Sequence, residues 1–108
     1  MRRWLLARVV YLEEHTMLEL LGVRQSYPWG TKDVIANLLH QEADGHPWAE
    51  QWYGAHPLGD SPTLTGETLS EHLSQHPDDL GQAVLETFGK RLPFLVKILS
   101  AASPLSLQ

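Results

Sequence analysis

The run "LPFLVKIL" at residues 92–99 constrains the fold more than any other stretch of the chain. Leu92, Phe94, Val96 and Ile98 alternate with Leu95, Lys97 and Leu99, so an extended strand here is apolar on both faces. Such a strand needs cover on each side, as in a sheet buried within a larger protein. A turn at Ala101–Pro104 follows, and then "PLSLQ", whose Leu105 and Leu107 point one way while Ser106 and Gln108 point the other.

At 108 residues the chain is one small domain or part of a larger one. Its 43% hydrophobic and 19% charged content is that of a globular protein, not a disordered one. A net charge of −5 gives no basic footprint for phosphate backbones, which argues against nucleic acid as a partner. With no cysteine, disulfides and thiolate metal sites are excluded, and a reducing, cytoplasmic compartment fits. No apolar run is long enough to cross a bilayer.

The opening "MRRWLLARVVYL" has a basic start and an apolar stretch. Arg8 interrupts the stretch, and "EEHT" stands where a signal peptide would carry small residues for cleavage. Residues 1–16 are therefore read as an extension, with Met17 as a second candidate start.

From Met17, "MLELLGVRQSY" reads as extended and "YPWG" as a turn. Thr31 can cap a helix with Val34, Ile35, Leu38 and Leu39 on one face, stopped at Asp44-Gly45. "PWAEQWYG" has strand character and sets Trp48, Glu50 and Trp52 on one face; "AHPLGDSPTLTG" reads as a loop. Thr68 and Glu71 form a capping box opening a helix with Leu69 and Leu73. "HPDDL" begins a further helix, with Leu80, Val84, Leu85 and Phe88 as its buried stripe and Gly89 as its end. The sum is an α+β chain.

Three positions stand out chemically. Lys97 sits among leucines, where an ammonium needs a partner anion or a lowered pKa, unless the strand is an edge and the side chain reaches water. Ser106 and Gln108 give the closing strand a polar face, turned either to water or to a ligand. Glu50 lies between Trp48 and Trp52; it is either an exposed edge residue or a carboxylate hemmed in by indoles, able to act as acid or base. The six histidines show no metal-binding spacing: Pro77 breaks the helix after His72 and His76, which are expected to be solvated, and His46 and His56 precede prolines in loops. No phosphate-binding glycine loop and no serine-nucleophile motif occurs.

Taken together, "YPWG", "WAEQWYGAHPLG" and "LPFLVKILSAASPLSLQ" resemble, in order and spacing, the N-terminal part of the type I phosphomannose isomerases, from about Leu18 to Gln108. The resemblance implies a cupin-type jelly-roll β-protein with an added helical region. It further implies zinc-dependent interconversion of mannose 6-phosphate and fructose 6-phosphate, with a sugar phosphate as the small-molecule partner. Carried over by motif, Trp29 matches the tryptophan of the family's Tyr-x-Trp-Gly and implies substrate binding. Glu50 matches the glutamate of Ala-Glu-x-Trp, and Lys97 the lysine of Phe-Leu-x-Lys. Ser106 and Gln108 match Ser-x-Gln. Glu50, Lys97 and Ser106 are thereby implied as catalytic, and Gln108 as a zinc ligand.

The family pattern continues past that glutamine to a histidine ligand and, later, to a glutamate, a second histidine and an arginine. Gln108 is one ligand of the roughly four that a zinc site uses, so residues 17–108 are expected to be truncated at the metal site and inert alone. A non-catalytic cupin-like module binding a sugar or a protein is the competing reading, and assembly with a separately encoded remainder is a third.

Overall fold

The computed structural model describes residues 17–104. The extension at 1–16 and the segment carrying Ser106 and Gln108 thus lie outside the described residues. In chain order the elements are β1 (Val23–Gln25), α1 (Val34–Leu38), β2 (Glu50–Tyr53), β3 (Ala55–His56), β4 (Gly59–Asp60), α2 (Leu69–Gln75), a 3-10 turn (Pro77–Leu80), α3 (Gln82–Phe88) and β5 (Val96–Leu99). The chain divides into two compact units: one takes Arg24–Gln51 and the residues from Lys97 onward, the other Leu18–Val23 and Trp52–Val96.

Residues 24–25, 50–51 and 97–99 of the first unit belong to a three-stranded sheet of order β1-β2-β5. β2 is the middle strand, and its residues Glu50, Gln51 and Trp52 are all buried, so both of its faces are covered. Aromatic residues at Trp48, Trp52 and Tyr53 favour this pleated, two-sided setting. Ile35 and Ala36 of α1 form the core with Trp48, and Leu39 and Ile98 pack against it. The buried face of α1 is therefore Ile35, Ala36 and Leu39, at spacings i, i+1 and i+4. Val34 and Leu38, expected on that face, lie on the neighbouring stripe and are exposed.

The helix also ends sooner than Asp44-Gly45. His40 adopts φ 58, its N–H donates to the Asn37 carbonyl at 3.1 Å, and the Gln41 N–H donates to the Ala36 carbonyl at 2.8 Å. This is a Schellman closure, with histidine taking the left-handed position usually given to glycine.

The strand expected at 92–99 is shorter and less covered than its pattern suggests. Only Val96–Leu99 pairs, at the edge of the sheet, and Val96 and Leu99 remain 52% and 50% exposed. Among the described residues β5 is last in the strand order, with a neighbour on one side only, and Ile98 alone among its residues packs on the core.

In the second unit the segment read as a loop contains a hairpin. β3 and β4 pair antiparallel, Ala55 with Asp60 and His56 with Gly59, around Pro57 and Leu58. Fully buried Ser61 secures its base. Its N–H donates to the Gly54 carbonyl at 2.8 Å, and its hydroxyl accepts the Gly54 N–H at 3.0 Å.

α2 opens on the expected capping box. The Thr68 hydroxyl accepts from the Glu71 N–H at 3.2 Å, and the Thr68 N–H donates to Glu71 Oε1 at 2.8 Å. Leu69 and Leu73 are its buried residues. Pro77 starts the 3-10 turn, but no single helix continues from it to Phe88. Gly81, at φ 87, separates the turn from α3. The expected buried stripe is also absent: Leu80, Val84 and Leu85 are half-buried and Phe88 is exposed.

Candidate functional site

The first unit brings together three of the residues singled out in the sequence. The "YPWG" turn closes with the Gly30 N–H donating to the Tyr27 carbonyl at 3.0 Å. Trp29 then stacks on Tyr27, with ring centroids 5.7 Å apart. Backbone bonds lace this turn to the segments flanking the two strands that carry the other candidates. The Ala102 N–H donates to the Trp29 carbonyl at 2.7 Å and the Trp48 N–H to the Thr31 carbonyl at 2.8 Å. The Thr31 N–H donates to the Ser100 carbonyl at 3.1 Å, and the Thr31 and Ser100 hydroxyls meet at 2.7 Å. Gly30 is required here by close approach, because a Cβ at this position would lie 2.5 Å from the Ala49 backbone.

Glu50 opens β2 directly after Ala49, and Lys97 lies on β5, the adjoining strand. The Lys97 ammonium stands 3.5 Å from Glu50 Oε1. The Glu50 side chain is only 9% exposed and that of Lys97 43% exposed. Neither sequence alternative for Lys97 is complete on its own: it lies on an edge strand and reaches water, and it also has an anion. For Glu50, the exposed-edge alternative is overturned, since β2 is the middle strand of the sheet.

Trp48, two positions before Glu50, is held by Arg24 and Asp44, which the sequence reading did not single out. Arg24 of β1 forks onto Asp44, at 2.9 and 3.0 Å to its two oxygens. It also donates to the His46 and Pro47 carbonyls at 3.2 and 3.1 Å, and its guanidinium lies 4.4 Å over the Trp48 ring. Hydrogen bonds from the Arg24 side chain first, and then from the His46 N–H, hold the Asp44 carboxyl well below the usual carboxylate range. Trp48 Nε1 donates to Gln51 Oε1 at 2.9 Å. The indole beside Glu50 is thus fixed on its face and at its edge. Arg24 and Asp44 are twenty residues apart, and no local pattern in the sequence links them.

This pair combines a sequestered carboxylate with an ammonium turned partly to solvent, an arrangement suited to attracting an anionic oxygen. A metal does not fit the described residues by themselves: among them no group of three or more His, Asp or Glu side chains could hold an ion. Ser106 and Gln108 lie outside the described residues.

In the second unit His72 departs from its expected solvated state. Its side chain is 12% exposed and is held between two carboxylates, with Nδ1 3.3 Å from Glu67 and Nε2 2.6 Å from Asp79. His76 stacks on it at 4.6 Å. The Asp79 hydrogen bond raises the His72 pKa, burial opposes the rise, and Glu67 adds to it.

Residues 17–108 match the family model for the type I phosphomannose isomerase catalytic domain. The chain is 40% identical over 97 residues to the mannose-6-phosphate isomerase of Homo sapiens, covering 78% of this chain and 23% of that protein. It is 41% identical over 98 residues to the enzyme of Salmonella typhimurium, covering 85% of this chain and 25% of that protein. The Salmonella crystal structure bound to fructose 6-phosphate and zinc superposes with a TM-score of 0.76 at 39% identity, over 83% of this chain and 24% of that one. A mannose 6-phosphate isomerase structure bound with zinc and yttrium gives 0.77 at 38% identity, with the same coverage of each chain. The chain thus spans about a quarter of the length of the relatives it matches.

Proposed function

The chain belongs to the type I phosphomannose isomerase family, and from that premise we propose that it supplies part of an active site interconverting mannose 6-phosphate and fructose 6-phosphate. The observation that carries this reading is the Glu50–Lys97 pair, 3.5 Å apart on adjoining strands and in the same unit as the Trp29 turn.

The reaction moves a carbonyl between C1 and C2. It requires removal of the proton beside the carbonyl and stabilisation of the enediol or enediolate oxygens as charge develops on them. The half-exposed Lys97 ammonium provides positive potential for those oxygens or for the phosphate. Glu50 holds that ammonium in place from the buried middle strand β2 and is proposed as a catalytic carboxylate. Trp29, stiffened by its stack on Tyr27, offers a flat wall to the substrate. Ser106 is proposed as a further catalytic hydroxyl and Gln108 as a zinc ligand. When bound, zinc supplies Lewis-acid polarisation of the substrate oxygens. The sheet is proposed to form part of a cupin-type jelly roll with an added helical region, working in the cytoplasm on a free sugar phosphate.

A chimaera tests the reading directly, with residues 17–108 replacing the matching quarter of the Salmonella typhimurium enzyme. It should turn over fructose 6-phosphate, and Lys97→Met within it should lower kcat/KM by about 100-fold or more without loss of folding. A folded, zinc-loaded chimaera that is inert beside an active parent would overturn the reading, as would one indifferent to Lys97→Met.

A further inference from the structure

The second unit contains a cavity of about 460 Å³ with a lining unlike the rest of this acidic chain. Leu73, Leu92, Pro93, Phe94 and Leu95 give it an apolar wall. Lys90, Arg91 and His56 also line it, and no carboxylate does. The two cations are consecutive, just beyond the Gly89 end of α3, and among the described residues neither takes part in an ion pair. Two of the eight Lys and Arg residues of a chain with net charge −5 thus meet at one cavity with no carboxylate paired to them among the described residues.

His56 extends the polar side. Its Nδ1 accepts the Leu58 N–H at 3.0 Å, so in the neutral ring the proton sits on Nε2, as a donor. The ring is held edge-on against Trp52 at 5.3 Å. None of the residues proposed for the isomerase reaction lines this cavity.

We propose that this cavity is a binding site for a small organic phosphate monoester with an apolar or aromatic body. The volume falls in the range of about 300–1,000 Å³ usual for small-molecule sites. Arg91 presents a planar fork to two phosphate oxygens and Lys90 a mobile point charge, while the leucine, proline and phenylalanine wall takes the organic part. Both cations are exposed, so binding is weakened by salt.

Phenyl phosphate is the probe, with phenol and inorganic phosphate as its two halves, titrated against the full chain and followed by amide and imidazole NMR shifts. Phenyl phosphate should bind at least about tenfold more tightly than either half, and should shift the His56 ring resonances. The double variant Lys90→Ala/Arg91→Ala should lose that advantage at an unchanged unfolding midpoint, while Lys32→Ala, exposed and outside the lining, should keep it. Equal binding of phenol would mean an apolar groove only, and equal binding of inorganic phosphate would mean an adventitious ion only. Either result overturns the proposal, as does full binding by the double variant. None of these outcomes depends on isomerase turnover.

Discussion

In the unit built on Arg24–Gln51 and the residues from Lys97 onward, charged side chains are paired across long stretches of chain. Arg24 grips Asp44 and covers Trp48, Trp48 bonds Gln51, and buried Glu50 meets Lys97. In the other unit the polar contacts join residues close in sequence and secure short helices: Thr68 with Glu71, and His72 with Glu67 and Asp79. The first kind of arrangement tolerates little change where backbone meets backbone, as at Gly30 against Ala49. The second is assembled from local contacts, each worth little alone. Precision of position, which chemistry needs, belongs to the first.

Glycine substitutions should expose this contrast most strongly. Gly30→Ala drives a methyl to 2.5 Å from the Ala49 backbone, and it should cost more than about 3 kcal/mol in urea unfolding or prevent folding. Gly66→Ala meets nothing within 4 Å, so only its φ of 102 opposes the change, at about 1–2 kcal/mol. Comparable losses at the two positions would break the comparison.

Next come the neighbours on α1. Ile35→Ala removes a fully buried side chain and should cost about 2–3 kcal/mol, whereas Val34→Ala, on the exposed stripe, should stay within about 0.5 kcal/mol. The same unfolding measurement checks both.

Thr68→Ala deletes one half of the capping box and should cost about 1 kcal/mol, with Thr68→Ser recovering most of it.

The smallest effect is the pH dependence due to His72. Its folded pKa is raised above the ordinary 6.5, so its stabilisation is complete below that value and is lost as pH rises through the folded pKa. Glu67, Asp79 and His76 are the titratable groups that face it. Asp79 is 55% exposed, which lets water screen the pair. The urea midpoint should fall as pH is raised above 6.5, and His72→Gln should flatten that arm. For Asp44 the sign is opposite: its lowered pKa means stability present above 3.8 and lost as pH falls.

Features fixed within four residues were legible in the sequence. The Thr68–Glu71 box, Pro77 as a first-turn residue, the Gly89 stop and the aromatic strand at Glu50–Tyr53 all follow from neighbouring side chains. Features set by distant partners were not. The Arg24–Asp44 fork joins residues twenty apart, the His72 clamp needs acids from both sides of α2, and the β3–β4 hairpin is too short to show periodicity. The double-faced pattern at residues 92–99 overstated burial, because alternation tells which side a residue faces but not what covers that side. Glu50 and Lys97 were conspicuous because ionic groups among apolar neighbours need a reason. That each is the other's partner required the order of the strands.

A double-mutant cycle between Glu50 and Lys97, read as kcat/KM for fructose 6-phosphate in the chimaera with the Salmonella enzyme, tests most directly whether this pair acts as a unit. Glu50→Gln and Lys97→Met should each cost activity, and the double variant should lose little more than Lys97→Met alone, a coupling of at least about 1 kcal/mol. Losses that simply add would mean that the 3.5 Å contact has no part in the reaction, contradicting the account.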